Sequence, residues 1–202
     1  LMAIKELSPA ILVLENVPEY RTTVSMHMIR ETLIDWRYKL HEVIVDRELG
    51  AFEDRKRLCM VAVSEGIEFK FDLKPVRERE QTLGEILDDV PLNADCWNAY
   101  DYLHIKEASD LESGKGFAMQ LVDTESTKVG TIGRGYNRVR STEPLVKHPT
   151  NNKLKRLLTV NELSKVKTID IKLVAGMSRT RQVEMNGNLL LLHRLLQDII
   201  HQ

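Results

Sequence analysis

AILVLENVPEY, residues 10–20, is the stretch whose reading decides the fold. Five apolar residues, Ala10 to Leu14, run into Glu15, Asn16, Val17 and Pro18. A short apolar run closed by polar residues and proline predicts a buried strand. In open α/β sheets, chemistry collects just past the C-terminal ends of the strands, and Glu15 and Asn16 are expected there. On local pattern alone the pair reads equally well as a polar cap on a strand end.

Working outward, Ile4 to Leu7 reads as the end of a helix and Ser8-Pro9 as a turn. From Thr22 to Trp36, the residues Val24, Met28, Ile29, Leu33, Ile34 and Trp36 recur near helical spacing, which predicts a helix packed on the sheet. LHEVIV (40–45) and LCMVAV (58–63) read as two further strands, joined by a polar loop from Arg47 to Lys56. They are too closely spaced for a helical crossover, so an antiparallel pair is expected. Strand, helix, strand, loop, strand is the tail of an α/β domain.

From Glu68 the texture changes. Thr82 to Leu87 predicts a short helix, Pro91 to Trp97 is irregular, and Tyr100 to Leu111 fits neither template. Gly114, Gly116, Gly130, Gly133 and Gly135 then punctuate short apolar pieces, FAMQLV (117–122) and the Thr131–Val139 region. Short strands between glycine-rich turns predict an irregular β-rich insertion. Its loops carry Arg134, Tyr136, Asn137, Arg138 and Arg140, a set able to stack on bases and hold phosphates. Thr159 with Glu162 three residues on predicts a capping box opening a short helix. Ile169 to Val174 reads as extended. Leu189, Leu192, Leu195, Leu196, Ile199 and Ile200 predict an apolar final helix packing back on the first domain.

A length of 202 residues suits one domain with an insertion or two small domains, and 43% hydrophobic content excludes a disordered chain. No apolar run approaches a membrane span, and the opening residues lack a cleavage-like end, so a cytoplasmic protein is the default. Cys59 and Cys96 support neither a disulfide framework nor a zinc site. The formal net charge of −1 hides a segregation. Residues 78–112 hold ten Asp or Glu against two Lys or Arg, a formal −8; residues 128–181 hold thirteen Lys or Arg against three acids, a formal +10. The basic segment can neutralise phosphates, be solvated surface, or pair with the acidic one. No glycine-rich GxGxxG-type turn occurs. Either the sheet is small, or the first part of its domain lies on another chain or was removed.

Three sets of residues carry the candidate chemistry. The first is Glu15-Asn16-Val17. The second is Glu53-Asp54-Arg55-Lys56-Arg57, where Arg55 and Arg57 share a face of an extended chain. That pair reads as an anion or base-edge clamp, or as a solvated charge cluster. The third is Arg156-Leu157-Leu158-Thr159 with Glu162, then Ser178, Thr180 and Gly187-Asn188.

The order and separation of these sets resemble the C-terminal part of the DNA cytosine-5 methyltransferases. The family's Glu-Asn-Val is matched by Glu15, Asn16 and Val17, preceded as in the family by a proline (Pro9) and a strand. Its Gln-x-Arg-x-Arg is matched by Arg55 and Arg57, with Glu53 in place of the Gln. Its Arg-x-Leu-Thr-x-x-Glu is matched by Arg156, Leu158, Thr159 and Glu162. Its Ser-x-Thr stretch running to Gly-Asn is matched by Ser178, Thr180, Gly187 and Asn188. All four stand in order over most of the chain.

The resemblance implies the C-terminal half of a Rossmann-like methyltransferase sheet with an inserted target-recognition domain and a returning final helix. It divides the chain into residues 1–68 (partial catalytic domain), 69–152 (recognition) and 153–202 (return to the catalytic domain). It implies methyl transfer from S-adenosylmethionine to C5 of a cytosine flipped out of double-stranded DNA. Glu15 would hold the ring at N3 and the amino group, Asn16 would orient the loop, and Arg55 or Arg57 would contact O2 or the backbone. Arg134, Arg138 and Arg140 would read DNA, Arg156 and Thr159 would support the recognition region, and Asn188 would help complete the cofactor side.

There are departures from the family pattern. The aromatic-x-Gly-x-Gly donor turn and the Pro-Cys-Gln nucleophile loop are absent from these residues. Cys59 sits in an apolar strand, where an inert thiol is expected, and Cys96 lacks the Pro-Cys-Gln context. Val160 follows Thr159 where the family usually has Pro, and Thr168-Ile169-Asp170 stands at its Gly-Phe-Pro. The chain alone is therefore expected to be inactive, with the missing half in an upstream segment or a second chain. An unpaired apolar strand edge also predicts a partner or self-association. The alternative is a non-catalytic DNA-binding or regulatory remnant or subunit.

Overall fold

The computed structural model describes residues 1–71, 73–75, 78–116, 118–133, 135–170, 172 and 176. They fall into two compact units. One comprises residues 1–49 and the described residues from 56 to 76; the other comprises 50–55 and the described residues from 77 on.

The first unit is a three-stranded sheet with helices. Helix α1 (Met2–Leu7) ends at Ser8, which takes a left-handed conformation. Strand β1 (Ile11–Asn16) follows, then a 3-10 turn (Pro18–Thr22) and helix α2 (Val24–Asp35). Thr23 caps α2 by accepting the Met26 N–H at 3.2 Å. The helix stops where Arg37 adopts a positive φ of 66°. Strands β2 (Lys39–Val45) and β3 (Arg57–Val63) complete the sheet in the order β1-β3-β2. β3 lies between the other two and runs antiparallel to both. β1 and β2 therefore run in the same direction.

The expected antiparallel pairing of β2 and β3 is observed. The expected position of Glu15 and Asn16 past the strand is not. They are its last two residues, paired in register with Cys59 and Leu58. The ladder extends two residues further because β3 is long enough to pair with them.

Strand alternation divides the sheet into two faces. Leu12 and Leu14 of β1, with Leu58, Met60 and Ala62 of β3, pack against Met26, Ile29 and Leu33 of α2 and against Trp36 at its C-cap. Glu15 faces the other way, on the side of Arg57, Cys59, Val61 and Val63. Glu42 of β2 is held by Arg30 of α2: Nε donates to Oε1 and Nη2 donates to Oε2 at 2.9 Å. Arg21 Nε stands 3.4 Å from Oε2.

The second unit is less regular. Strands β4 (Gln120–Val122), β5 (Pro144–Lys147) and β6 (Lys155–Arg156) form a small sheet, parallel between β4 and β5 and antiparallel between β5 and β6. Thr82 opens a single 3-10 turn (Leu83–Glu85) with a capping box, where a short helix is expected. Of Tyr100 to Leu111, which the sequence leaves unassigned, all but Tyr100 lies in helix α3 (Asp101–Glu112); Tyr100 stands at its N-cap. Only Leu103 among its apolar side chains is buried, while Tyr102, Ile105 and Leu111 are exposed. No apolar stripe marks it, and an i,i+4 pair of Lys106 and Asp110 supports it instead. Between Thr131 and Val139 the described residues form a 3-10 turn (Tyr136–Arg138) and no strand. Helix α4 (Val160–Val166) opens on the expected capping box, with both reciprocal bonds formed. The core gathers Phe52, Leu83, Ile86, Leu103, Val129, Ile132, Tyr136, Leu145, Leu158 and Val166. The expected extended segment 169–174 falls largely, and the final helix 189–200 wholly, outside the described residues.

The Arg30 hydrogen bonds, opposed by burial, hold the Glu42 carboxyl below its ordinary range. A carboxyl depressed by folding contributes stability that is complete above its unfolded pKa and is lost as pH falls through the folded one. Glu42→Gln should therefore cost about 1 to 3 kcal/mol at neutral pH. The gap from the parent should narrow as pH falls below the ordinary carboxylate range of about 4, as read by urea denaturation at neutral and at acid pH.

Candidate functional site

Glu15 and Arg57 meet on one face of the first sheet. Arg57 opens β3 and stands diagonally across from Glu15, two residues from its register partner Cys59. Its Nε lies 2.9 Å from Glu15 Oε1. The Arg57 side chain is 15% exposed and that of Glu15 is 41% exposed. A guanidinium packed into the sheet thus fixes a carboxylate that remains open to solvent. Arg57 Nη1 also donates to the Lys56 carbonyl at 2.6 Å, which limits its swing. Asn16 turns to the opposite face, and its Oδ1 accepts the Val17 N–H at 2.8 Å, fixing the exit of the strand.

The expected pairing of Arg55 with Arg57 is resolved into two separate partnerships. Arg55 belongs to the second unit, where its Nη1 stands 4.0 Å from Glu53 Oε1. Glu53 is 6% exposed and doubly engaged. Its Oε1 accepts the Ile132 N–H at 2.9 Å and its Oε2 accepts Lys167 Nζ at 2.7 Å. Burial, opposed by the Glu53 charge, holds the Lys167 amine below its ordinary range. Beside this pair, buried Glu143 accepts the Gly133 N–H at 3.0 Å. Burial pushes the Glu143 carboxyl up. A Cβ on Gly133 would sit 2.8 Å from Glu143 Oε1, so this position has room only for glycine unless the carboxylate moves. Nothing local in the sequence announces Lys167 or Glu143, since each acts on residues far from it along the chain or on the backbone.

Arg156 and Thr159 meet at the buried Glu162. Arg156 Nη1 and Nη2 donate to Glu162 Oε2 and Oε1, each at 2.7 Å. The same carboxylate accepts the Thr159 N–H at 2.7 Å and the Asp88 N–H at 2.8 Å. Thr159 Oγ1 donates to Asp88 Oδ2. The Arg156 guanidinium also lies over the Trp97 ring, 5.2 Å from its centroid. Arg138, the last residue of the 3-10 turn at Tyr136, and Arg140, two residues beyond it, are exposed. Arg134 and Asn188 lie outside the described residues.

Cys59 is buried, and desolvation with the nearby Glu15 charge pushes its thiol up to about 12. Such a thiol carries almost no thiolate at neutral pH, so it is inert as a nucleophile. Cys96 is exposed. Among the described residues there is no cluster that could hold a metal ion and no helix long and apolar enough to cross a membrane. No strand among them leads into a glycine-rich turn.

Residues 1–200 match the C-5 cytosine-specific DNA methylase family, and the chain belongs to it. No curated protein matches the sequence. Among solved structures the chain is similar to the Entamoeba histolytica methyltransferase EhMeth, with a TM-score of 0.66 and 19% identity over 96% of this chain and 63% of that one. It is similar to the S. pombe Dnmt2 methyltransferase, with a TM-score of 0.70 and 15% identity over 93% and 64%. A Spodoptera frugiperda DNMT2 mutant gives 0.67 and 11% over 95% and 66%. The chain thus spans between 63% and 66% of the length of these three. The architecture is that of a Rossmann-like methyltransferase fold with an inserted β-rich domain.

The two ion pairs should behave differently on mutation. Glu162→Ala strands a buried guanidinium and should cost about 3 to 5 kcal/mol, whereas Glu15→Gln at an exposed pair should cost no more than about 1 kcal/mol. Urea denaturation of both variants reads the difference. Iodoacetamide on the folded chain should label Cys96 and leave Cys59 unmodified, as resolved by peptide mass spectrometry.

Proposed function

We propose that this chain is the base-holding and DNA-recognising portion of a DNA cytosine-5 methyltransferase. The observation that carries the reading is the Glu15–Arg57 pair, a solvent-reachable carboxylate fixed by a packed arginine, formed by the residues that match the family's motifs. Such a carboxylate suits the polar edge of a flipped cytosine, accepting from the exocyclic amino group and sharing a proton with N3. That interaction neutralises charge developing in the ring as a thiolate attacks C6. Arg57 holds Glu15 in place and, with Arg55, is a candidate for contact with O2 or the backbone. Asn16 orients the strand exit.

S-Adenosylmethionine supplies the methyl group in this reaction. Its site is assigned to residues outside the described ones, with Asn188 on that side. The Pro-Cys-Gln nucleophile loop does not occur among these 202 residues. The reaction therefore requires a segment or second chain that carries it, and the 202 residues alone are inactive. Residues 1–68 are assigned to the catalytic side, and residues 69–152 face the DNA. The exposed Arg138 and Arg140, with Arg134, contact DNA, while the buried Arg156 and the capping Thr159 serve recognition by bracing the backbone that presents it.

Covalent trapping on duplexes containing 5-fluorocytosine, with S-adenosylmethionine present, tests this reading. An adduct is expected only when a polypeptide carrying the donor turn and the Pro-Cys-Gln loop is added. Glu15→Gln should slow its formation by about a hundredfold. An adduct with this chain alone would overturn the assignment, as would none with both parts present. A sequence-dependent gel shift without any adduct would leave a recognition module.

A further inference from the structure

The family's Gln-x-Arg-x-Arg pattern is Glu53-x-Arg55-x-Arg57 here. A bare carboxylate at a DNA-facing arginine pair would repel phosphate, yet the structure gives Glu53 a different set of partners. Its charge is met by Lys167 at 2.7 Å, both side chains being buried, and its other oxygen takes the Ile132 N–H. The next backbone donor, the Gly133 N–H, goes to Glu143. Two buried carboxylates thus take two consecutive amides at the start of the arginine-bearing stretch. The far side of that stretch is tied as well. Tyr136 is fully buried; its hydroxyl donates to the Pro144 carbonyl at 3.0 Å and accepts the Leu158 N–H at 2.8 Å. The strand-like contacts of Glu53 and Asp54 with Val129, and the bond from Thr131 Oγ1 to the Asp54 carbonyl at 2.8 Å, fix the entry.

We infer that Glu53, Glu143 and Lys167 form a buried ionic clamp that sets the conformation of the described residues of 131–140 and, through them, the chain's preference among DNA duplexes. The second half of this inference rests on the DNA-binding reading above. Glu53, Glu143 and Lys167 are positioning residues: they act through Ile132 and Gly133 on the side chains that follow. Lys167 makes the carboxylate at position 53 tolerable, because a buried carboxylate without a cation is costly and a buried ammonium without a carboxylate equally so. The exchange of the family's neutral Gln for Glu is thereby balanced within the chain, 114 residues away.

The test uses the full chain and three variants. Glu53→Gln keeps an acceptor for the Ile132 N–H and strips Lys167 of its carboxylate. Glu53→Gln with Lys167→Met removes both charges and keeps the acceptor. Glu53→Leu with Lys167→Met removes the acceptor too. Two quantities are read: hydrogen exchange at the Ile132 and Gly133 amides, and the sequences selected from a randomised duplex pool.

The single variant should raise Ile132 exchange by about tenfold or more. The Gln/Met pair should return it to within about threefold of the parent, and the Leu/Met pair should not. A chain that unfolds as the single variant and refolds as the Gln/Met pair counts as the same recovery. Unchanged exchange in the single variant, or no recovery in the Gln/Met pair while circular dichroism remains native, would overturn the clamp. If the exchange pattern holds and the parent selects no duplex, the DNA-binding reading fails and the clamp stands. If the parent selects a duplex and the altered-exchange variants select the same one, the specificity role fails while DNA binding stands.

Discussion

The second unit depends on a single buried carboxylate, that of Glu162. Its two oxygens accept from both terminal nitrogens of Arg156, from the Thr159 backbone and from the Asp88 backbone. Those four donors come from β6, from the cap of α4 and from a loop more than seventy residues earlier in the chain. A carboxylate has about four acceptor positions, and here all four are used. That saturation offsets much of the desolvation cost of a charge at 0% exposure. The Arg156 guanidinium, held flat by this fork, also forms a platform over Trp97. A short helix of seven residues has little stability of its own, so α4 exists because this network fixes its first turn.

The molecule uses charge in two different ways. At Glu162 and Glu53 the carboxylates are buried, met by four donors and by two respectively, and each takes a backbone N–H. At Glu15 the carboxylate is paired with Arg57 and stays 41% exposed. The apparent segregation of acidic and basic segments along the sequence dissolves in part at this level. Lys147 of the basic segment bonds Asp123, and Lys167 bonds Glu53. Lys165 approaches Asp88, and Lys128 bonds Asp54. Several of the cations counted as available for phosphate are thus engaged within the chain, while Arg138 and Arg140 stay exposed.

The sequence by itself determined the elements whose period or local chemistry is self-contained. The apolar runs 10–14, 40–45 and 58–63 specify strands, although only the central one is buried: β3 is covered along its length, while β1, expected to be buried, and β2 lie half-buried on either side of it. The spacing of Val24, Met28, Ile29, Leu33, Ile34 and Trp36 pointed to α2, although Val24, Met28 and Ile34 are exposed and Met26 with Leu33 forms its buried side. Thr159 with Glu162 specifies the start of α4 because a capping box closes within four residues. The order of the four motifs was likewise visible, and it led to the family that residues 1–200 match. Tertiary structure alone decided what depends on distant partners. Helix α3 lacks an apolar stripe, so only its packing through Leu103 and its local ion pair reveal it. The Ile132 and Gly133 amides are taken by carboxylates in place of a strand ladder, and glycine-rich sequence looks the same in either case. Arg55 and Arg57, two residues apart, go to different carboxylates in different units. Whether a charge is buried and matched, like Glu53 with Lys167, or exposed and poised, like Glu15 on Arg57, is a property of the surroundings. Those surroundings are assembled from residues up to 114 positions apart, which no local pattern encodes.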